Sequence, residues 1–357
     1  MRKTSITTLL AFLSIFLGCT PQLIKDGDTQ LEAGNYKKAA ELYKSYTDKH
    51  SGNAEAFNRL GLAYDGIGEY DKAAEAFSKA VDINPENASY YYNRGTTYLH
   101  MRAFDQARLD LEQAIRLDTT KADYFNNLGN IYFKKENYKQ ARLIYQKAAT
   151  IDTTNYELFL NLALCSEFEG LSEEALAYYD KALSLDSSSA LIYNNRGALR
   201  AQLGNFDAAI ADYTKAIDIN PSYAMAYNNR GTAYYRKGDL IRAEADYTKA
   251  TMLDSNLARA YINRGRVYLD QEEYNAAVAD YTKGLKLNPG SELASVRAAE
   301  AYLERGKMRF ETGFSDAAKA DFQKVIELDV QGGLAPTARS YLKKLESSGQ
   351  ASSTDTE

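Results

Sequence analysis

The sequence predicts an all-α protein, an α-solenoid of nine helix-pair repeats closed by a C-terminal capping helix. Two observations carry this prediction. Within a 34-residue period, apolar and small residues follow helical spacing, and the chain's 29 Tyr and 13 Phe supply aromatic residues at fixed positions of the period. Glycines recur on one grid of the same period, with Ala163 in the single gap: Gly27, Gly61, Gly95, Gly129, Gly197, Gly231 and Gly265.

Each period predicts one helix pair. When the grid glycine is numbered position 8, an aromatic residue recurs at position 4, an alanine at position 20 and usually another aromatic residue at position 24. The spacing is helical on both sides of position 15, where glycine or a polar residue interrupts it. We therefore expect helix A over about the first fourteen positions and helix B over about positions 18 to 31. Small residues at positions 8 and 20 allow the two helices to pack closely.

The pattern resembles that of the tetratricopeptide repeat (TPR) family, which the stretch "FNRLGLAYDGIGEYDKAAEAFSKAVDINP" follows closely. The resemblance implies a right-handed superhelix. A seven-residue insertion at 292–298 displaces the last repeat and should lengthen its first helix by about two turns. The predicted array covers residues 19–332, with nine repeats that begin at Thr20, Ala54, Ala88, Ala122, Tyr156, Ala190, Ala224, Ala258 and Ala299.

The two ends of the chain differ from the array. Residues 333–346, with Pro336 near their start, predict a capping helix over the last repeat, and the polar residues 347–357 are expected to be disordered. Residues 1–18 have two basic residues and then an apolar stretch, as in an export signal. Their ending before Cys19 resembles a bacterial lipoprotein signal, which implies cleavage there and a lipid on Cys19. Cys165 is expected to be a buried apolar residue.

Composition and motifs argue against several classes of function. A formal net charge of −5 and a pI near 5.4 disfavour a nucleic-acid binder, which needs a basic face. Glycine-rich phosphate loops, Ser/His/Asp constellations and Cys/His clusters with metal-ligand spacing are not found in the sequence. We therefore expect no enzymatic activity, no cofactor, no metal and no small-molecule substrate.

Arginine replaces the usual leucine at position 7 of five repeats. A buried arginine without a partner would cost several kcal/mol. The same five repeats carry aspartate at position 23, whereas repeats with Leu60, Leu128 and Leu162 carry an uncharged residue there. The first repeat, with Asp26 and Leu42, departs from both patterns. The sequence therefore predicts five structural ion pairs: Arg94–Asp110, Arg196–Asp212, Arg230–Asp246, Arg264–Asp280 and Arg305–Asp321.

Asparagine occupies position 6 of six consecutive repeats, on the stripe that lines the concave wall in TPR arrays. Its amide can pair with a peptide group whatever the ligand's side chains are. The row resembles the asparagine ladder that binds extended peptides in O-linked N-acetylglucosamine transferase. The alternative is that these residues only satisfy neighbouring backbone. The predicted peptide-binding residues are Asn93, Asn127, Asn161, Asn195, Asn229 and Asn263, with Asn126, Asn130, Asn194 and Asn228 beside them.

These features predict a membrane-anchored scaffold that binds extended segments of partner proteins in its concave groove. The alternative is a structural subunit of a cell-envelope assembly or secretion machine that uses convex and edge contacts. The lipoprotein resemblance implies a bacterial cell envelope, with the protein facing the periplasm. By resemblance to enterobacterial lipoprotein sorting, Thr20 after the lipidated cysteine favours the outer membrane over the inner one.

Overall fold

The computed structural model describes residues 21–329 and 331–351, and all regular structure in this part of the chain is helical. Among the described residues, ten helices lie in the first compact unit, which ends at Leu185: α1 Gln22–Glu32, α2 Tyr36–Thr47, α3 Ala54–Ile67, α4 Tyr70–Ile83, α5 Ala88–His100, α6 Phe104–Leu117, α7 Ala122–Lys134, α8 Tyr138–Ile151, α9 Tyr156–Phe168 and α10 Ser172–Leu185. The described part of the second unit, which begins at Asp186, has nine helices: α11 Ala190–Gln202, α12 Phe206–Ile219, α13 Ala224–Arg236, α14 Leu240–Leu253, α15 Ala258–Asp270, α16 Tyr274–Leu287, α17 Glu292–Glu311, α18 Ser315–Leu328 and α19 Ala335–Ala351. The observed fold is the predicted all-α array of paired helices.

The glycine at position 8 makes room for the aromatic ring at position 24. A Cβ added to Gly129 would lie 2.6 Å from Cε1 of Tyr145, and one added to Gly61 would lie 2.6 Å from Cε1 of Phe77. These rings are fully buried between the two helices of a repeat. Close approach of helix A to helix B therefore depends on a small residue at this position.

Position 15 ends helix A in the left-handed backbone region. Most repeats place glycine there, as at Gly238, where φ is 81°. The third, fourth and eighth repeats instead force a residue with a side chain into the same conformation, with φ of 57° at Arg102, 59° at Glu136 and 63° at Glu272. Such residues are strained because their Cβ crowds the backbone.

The C-terminal helices depart in length from the other repeats. Helix α17 has 20 residues against 13 in α15, as the insertion at 292–298 predicts. Helix α19 continues to Ala351, five residues past the predicted end at 346. No proline or β-branched residue stops it there, and Ser347 Oγ donates to the carbonyl of Lys344 as it does in a helix. Its Tyr341 stacks on Phe322 with ring centroids 5.0 Å apart, so α19 covers the last repeat.

None of the helices within the described ranges combines the length and apolar character that crossing a membrane requires.

Candidate functional site

All five predicted Arg–Asp pairs are present as two-point ion pairs between helices A and B of one repeat. In each pair, Nε and Nη2 of the guanidinium donate to the two oxygens of one buried carboxylate. Both N–O distances are 2.8 Å in the Arg230–Asp246 pair. The distances range from 2.5 to 3.0 Å in the others: Arg94–Asp110, Arg196–Asp212, Arg264–Asp280 and Arg305–Asp321. This planar two-point geometry is among the strongest that charged side chains form.

A hydroxyl group from the preceding repeat adds a third contact to three of these arginines. The remaining nitrogen, Nη1, donates at 3.0 Å in each case: Arg94 to Ser78, Arg230 to Thr214 and Arg264 to Thr248. Each of these arginines therefore joins three helices. The sequence carries a signal for this contact, because the residues sixteen positions before the position-7 leucines of the second, fourth and fifth repeats lack an aliphatic hydroxyl: Lys44, Glu112 and Gln146.

The position-7 arginines also lie over an aromatic ring of their own helix. Their guanidinium carbons are 5.2 to 5.8 Å from the centroid of the position-4 tyrosine, within the range of a cation–π contact: Tyr91, Tyr193, Tyr227, Tyr261 and Tyr302. Repeats with leucine at position 7 have phenylalanine at position 4 instead: Phe57, Phe125 and Phe159. The exchange of tyrosine for phenylalanine is thus a further sequence signal for the ion pair.

Two of the aspartates hold a second arginine that the pairing pattern does not predict. Arg200 donates from Nη1 to Asp212 at 2.8 Å, and Arg309 donates in the same way to Asp321 at 2.8 Å. Both arginines occupy position 11, one helical turn after position 7 and on the same face of helix A. Arginine at positions 7 and 11 of one repeat is the signal that identifies these clusters.

The arginines are committed to contacts within the protein. The pKa of Arg94 is raised because its guanidinium donates hydrogen bonds to an aspartate. The same cause raises the pKa of Arg230 and of Arg264. With a carboxylate on two nitrogens and a hydroxyl on a third, these guanidinium groups have little capacity left for an anionic ligand. Their geometry fits the structural role predicted from the sequence.

In the second unit, five asparagine side chains form one continuous chain of hydrogen bonds. Asn263 donates from Nδ2 to Oδ1 of Asn228 at 3.0 Å, and Asn228 donates to its neighbour Asn229 at 3.3 Å. Asn229 donates to Asn194 at 3.0 Å, and Asn194 donates to Asn195 at 3.4 Å. The chain runs from α15 through α13 to α11, so it connects the A helices of three successive repeats.

The asparagines of this chain differ in exposure. Asn194 and Asn228, at position 5, are only 6% and 4% exposed. This differs from the expectation that they contact a ligand, because neighbouring helices cover them and their amides are bonded to other asparagines. Asn195, Asn229 and Asn263, at position 6, are partly exposed. An amide carries two N–H groups, so each position-6 residue retains at least one for a ligand.

The row is less regular in the first unit. Asn93 was predicted to face a ligand but is 6% exposed and donates to Asn58 at 2.8 Å. Asn130 accepts a hydrogen bond of 2.7 Å from the hydroxyl of Tyr145, which occupies its Oδ1 from within the repeat. Both residues thus serve contacts inside the protein that their sequence positions do not reveal.

Asn127 and Asn161 are the partly exposed position-6 residues of the first unit. Asn127 donates to the hydroxyl of Tyr92 at 3.3 Å, and Asn161 lies 3.5 Å from Oδ1 of Asn126. Both contacts are longer than the 3.0 Å bonds that join neighbouring repeats in the second unit. The second unit therefore holds the more regular asparagine row.

An ionic network replaces asparagine in the second repeat, where Arg59 occupies position 6. Its guanidinium lies between two carboxylates, 3.4 Å from Asp28 and 3.2 Å from Glu55. The hydroxyl of Tyr43 donates to Asp28 at 2.7 Å and that of Tyr90 donates to Glu55 at 3.2 Å. Burial raises the pKa of the Glu55 carboxyl. This network connects the first three repeats, and Arg59 does not extend the row of amides.

Within the described residues, the cysteine and the potential metal ligands add no further site. Cys165 is fully buried, and burial raises the pKa of its thiol to about 12. In residues 21–329 and 331–351, no group of three or more His, Cys, Asp or Glu side chains is placed to hold a metal ion. Cys19, the predicted lipidation residue, lies outside the described residues.

Comparison with solved structures finds the same fold in three bacterial proteins. A tetratricopeptide repeat protein from Parabacteroides merdae is 19% identical, with 70% of this chain and 96% of that chain covered and a TM-score of 0.52. The C-terminal part of a TPR repeat-containing protein from Cytophaga hutchinsonii is 20% identical, with coverages of 76% and 97% and a TM-score of 0.52. PilF of Pseudomonas aeruginosa is 21% identical, with coverages of 60% and 97% and a TM-score of 0.52. At these identities the likeness concerns the fold alone.

No curated protein matches the chain. Family models described as TPR repeat or tetratricopeptide repeat match most of the described residues, over 25–88, 76–108, 122–155, 156–189, 198–238, 224–257, 258–291 and 299–329. With the 34-residue grid, the paired helices and these matches in agreement, the chain belongs to the tetratricopeptide repeat family.

Proposed function

We propose that this protein is a scaffold that binds extended segments of partner proteins along its partly exposed position-6 asparagines. The proposed anchor is a lipid on Cys19, which would hold the array at a bacterial membrane facing the periplasm, with the outer membrane favoured. The family assignment supports a protein as the partner.

The hydrogen-bonded asparagine row of the second unit carries this proposal. In Asn229, one N–H and one lone pair of Oδ1 are used inside the row, so one N–H and one lone pair remain. That pair of groups matches the C=O and N–H of a peptide group. Because both partners of each internal bond are side chains held by packed helices, the amides are oriented before a ligand arrives, which lowers the entropic cost of binding.

The spacing of the row fits an extended chain. Neighbouring helices pack roughly 8–10 Å apart, and an extended chain advances about 3.3–3.6 Å per residue. One asparagine would therefore meet about every third residue of the bound segment. Binding through peptide groups is indifferent to the intervening side chains, so partners of varied sequence are expected.

The test uses a phage-displayed library of random 15-residue peptides and the triple variant Asn195→Ala, Asn229→Ala, Asn263→Ala. The control changes three exposed asparagines of the same unit that lie in loops, Asn205→Ala, Asn256→Ala and Asn288→Ala. Synthetic copies of the retained peptides should bind the triple variant at least about tenfold more weakly, roughly 1.4 kcal/mol, and the control unchanged. Equal binding by all three proteins contradicts the proposal.

The anchor is tested separately. The variant Cys19→Ser should no longer be recovered in the membrane fraction, and it should not incorporate a labelled fatty acid in cells. If the variant stays in the membrane fraction and remains labelled, Cys19 does not carry the anchor.

The alternative, a structural subunit of an envelope machine, is favoured by one surface of α14. Ile241 and Met252 are 80% and 75% exposed, and their spacing of eleven residues places them on one face of this helix. Isolated exposed apolar residues are common, but two on one helix face suit a permanent contact. If Ile241→Ser with Met252→Ser removes crosslinked partners from detergent-solubilised envelopes while the asparagine variant keeps them, the structural role is the better description.

A further inference from the structure

The hydroxyl of the position-24 tyrosine has a partner on helix A in four repeats. In each of them it donates to a polar side chain at position 9 or 12 of the same repeat: Tyr43 to Asp28 at 2.7 Å, Tyr145 to Asn130 at 2.7 Å, Tyr179 to Glu167 at 2.8 Å and Tyr247 to Thr232 at 3.2 Å. The ring packs between the helices and its hydroxyl reaches the face that carries the asparagines. A buried hydroxyl normally requires such a partner.

The sixth repeat keeps the tyrosine but has lost the partner. Tyr213 is 2% exposed, and its ring lies against Gly197, where an added Cβ would be 2.9 Å from Cε1. Positions 9 and 12 of this repeat are Ala198 and Ala201, which have no polar side-chain atom. Among the described residues, no group bonds to the Tyr213 hydroxyl.

Tyr281 in the eighth repeat also lacks a hydrogen-bond partner, but there position 9 holds a large side chain. Its position-9 residue is Arg266, a donor with a long side chain, and the Tyr281 hydroxyl is buried without a partner. The Tyr213 oxygen is not fully buried in this way, and positions 9 and 12 of its helix A carry partly exposed alanines. The sixth repeat thus has an unbonded tyrosine hydroxyl where four other repeats have a hydrogen bond to helix A.

We propose that Tyr213, Ala198 and Ala201 form a subsite for one side chain of the bound segment, which must present an oxygen acceptor. The carboxylates of Asp and Glu and the amides of Asn and Gln share this chemistry. Asn195 stands one helical turn before Ala198 on the same helix face, and neither of its N–H groups is bonded within the described residues. Asn195 binds the neighbouring peptide group of the segment. The subsite therefore adds a preference for one side chain to a row of asparagines that otherwise contacts only the backbone of the segment. The inference rests on the proposed function of that row.

The first measurement needs no ligand. Tyr213→Phe should leave the melting temperature unchanged, because the hydroxyl that it removes has no partner in the free protein. Tyr247→Phe is the matched variant in the same unit and should lower the melting temperature, because its hydroxyl donates to Thr232. Ala198→Asn should raise the melting temperature by supplying the acceptor that Asn130 supplies in the fourth repeat. A fall with Tyr213→Phe equal to that with Tyr247→Phe overturns the inference.

The second measurement uses the random 15-residue library described above on the full chain. Peptides retained by the unmodified protein should be enriched at one position in Asp, Glu, Asn or Gln, and the enrichment should vanish with Tyr213→Phe and with Ala198→Asn. Synthetic peptides with Glu, Gln or Ala at that position then show whether a carboxylate or an amide oxygen is preferred. Replacing the preferred residue with Ala should weaken binding about tenfold to the unmodified protein and leave binding to Tyr213→Phe unchanged.

The outcomes separate this inference from the proposed function. Peptides that depend on the position-6 asparagines but bind Tyr213→Phe with the same preference overturn the subsite and leave the scaffold intact. Retained peptides that are indifferent to the asparagines, or no retained peptides, contradict the scaffold and the subsite together.

Discussion

Asn229 and Asn194 stand on neighbouring A helices, and Nδ2 of the first donates to Oδ1 of the second at 3.0 Å. The bond joins position 6 of one repeat to position 5 of the repeat before it. Asn263 and Asn228 repeat the arrangement one step further along the chain, again at 3.0 Å. The asparagine of this family pattern therefore contributes to repeat stacking and keeps part of its amide exposed. One asparagine can therefore make a contact inside the protein and still keep an N–H group for a ligand.

Asn228 should contribute to stability although it is a small polar residue. Asn228→Ala removes its bonds to Asn263 and Asn229 at a position that is almost fully buried. We expect a loss of about 1–2 kcal/mol in the free energy of unfolding, measured by urea denaturation. Asn256→Ala, in an exposed loop, is the control and should change it by less than about 0.5 kcal/mol. Equal effects of the two substitutions would contradict the buried hydrogen-bond chain.

The Arg230–Asp246 pair should be more costly to break than to replace. Arg230→Ala leaves the Asp246 carboxylate buried without its partner and should cost about 3 kcal/mol. Arg230→Leu with Asp246→Ile copies the Leu128–Ile144 combination of the fourth repeat and should cost markedly less. Thermal melts in which the double variant is the less stable of the two would rule out the pair as a structural unit.

Glycine should stabilise the strained ends of helix A. Glu272 has φ of 63°, whereas the equivalent residue of the preceding repeat is Gly238. Glu272→Gly should raise the free energy of unfolding by about 1 kcal/mol, since relief of left-handed strain outweighs the added freedom of the unfolded chain. Gly238→Ala should have the opposite sign, although an added Cβ there meets no atom within 4 Å. If neither changes the melting temperature, the left-handed conformation at position 15 carries no strain.

His100 should make the protein more stable in mild acid than in base. Its Nδ1 lies 3.2 Å from Oδ1 of Asp65, and this hydrogen bond raises the pKa of the imidazole above its ordinary value. A raised folded-state pKa gives stabilisation that is complete below the unfolded pKa, about 6.5, and is lost as the pH rises through the folded value. His100→Gln should therefore lower the melting temperature near pH 5.5 and have little effect near pH 8.5.

Asp65→Asn is the companion variant for the histidine. It removes the charge that holds the protonated imidazole and should abolish the same pH-dependent difference. A difference that survives Asp65→Asn would assign the effect to another group.

The repeats and the contacts within each repeat follow from the sequence alone. Arg230 and Asp246 are sixteen residues apart on two helices that one short turn brings together, so their contact follows from the period alone. The same holds for Gly129 and Tyr145, also sixteen residues apart. Such contacts are local, and the 34-residue pattern repeats them with the same partners. The sequence pattern did not predict the third contact of Arg230, to Thr214 of the preceding repeat, which only the structure shows.

The tertiary structure alone decided which asparagines are buried, where the last helix ends and which tyrosine lacks a partner. Asn93 and Asn229 share position 6, yet Asn93 is buried and Asn229 is partly exposed, because exposure depends on how the neighbouring A helices cross and rotate. Tyr281 has the polar Arg266 at position 9 and still lacks a hydrogen-bond partner, which the residue types do not reveal. The period fixes the spacing of residues along each helix, but contacts between repeats depend on small rotations of whole helices, which a pattern of residue types does not specify.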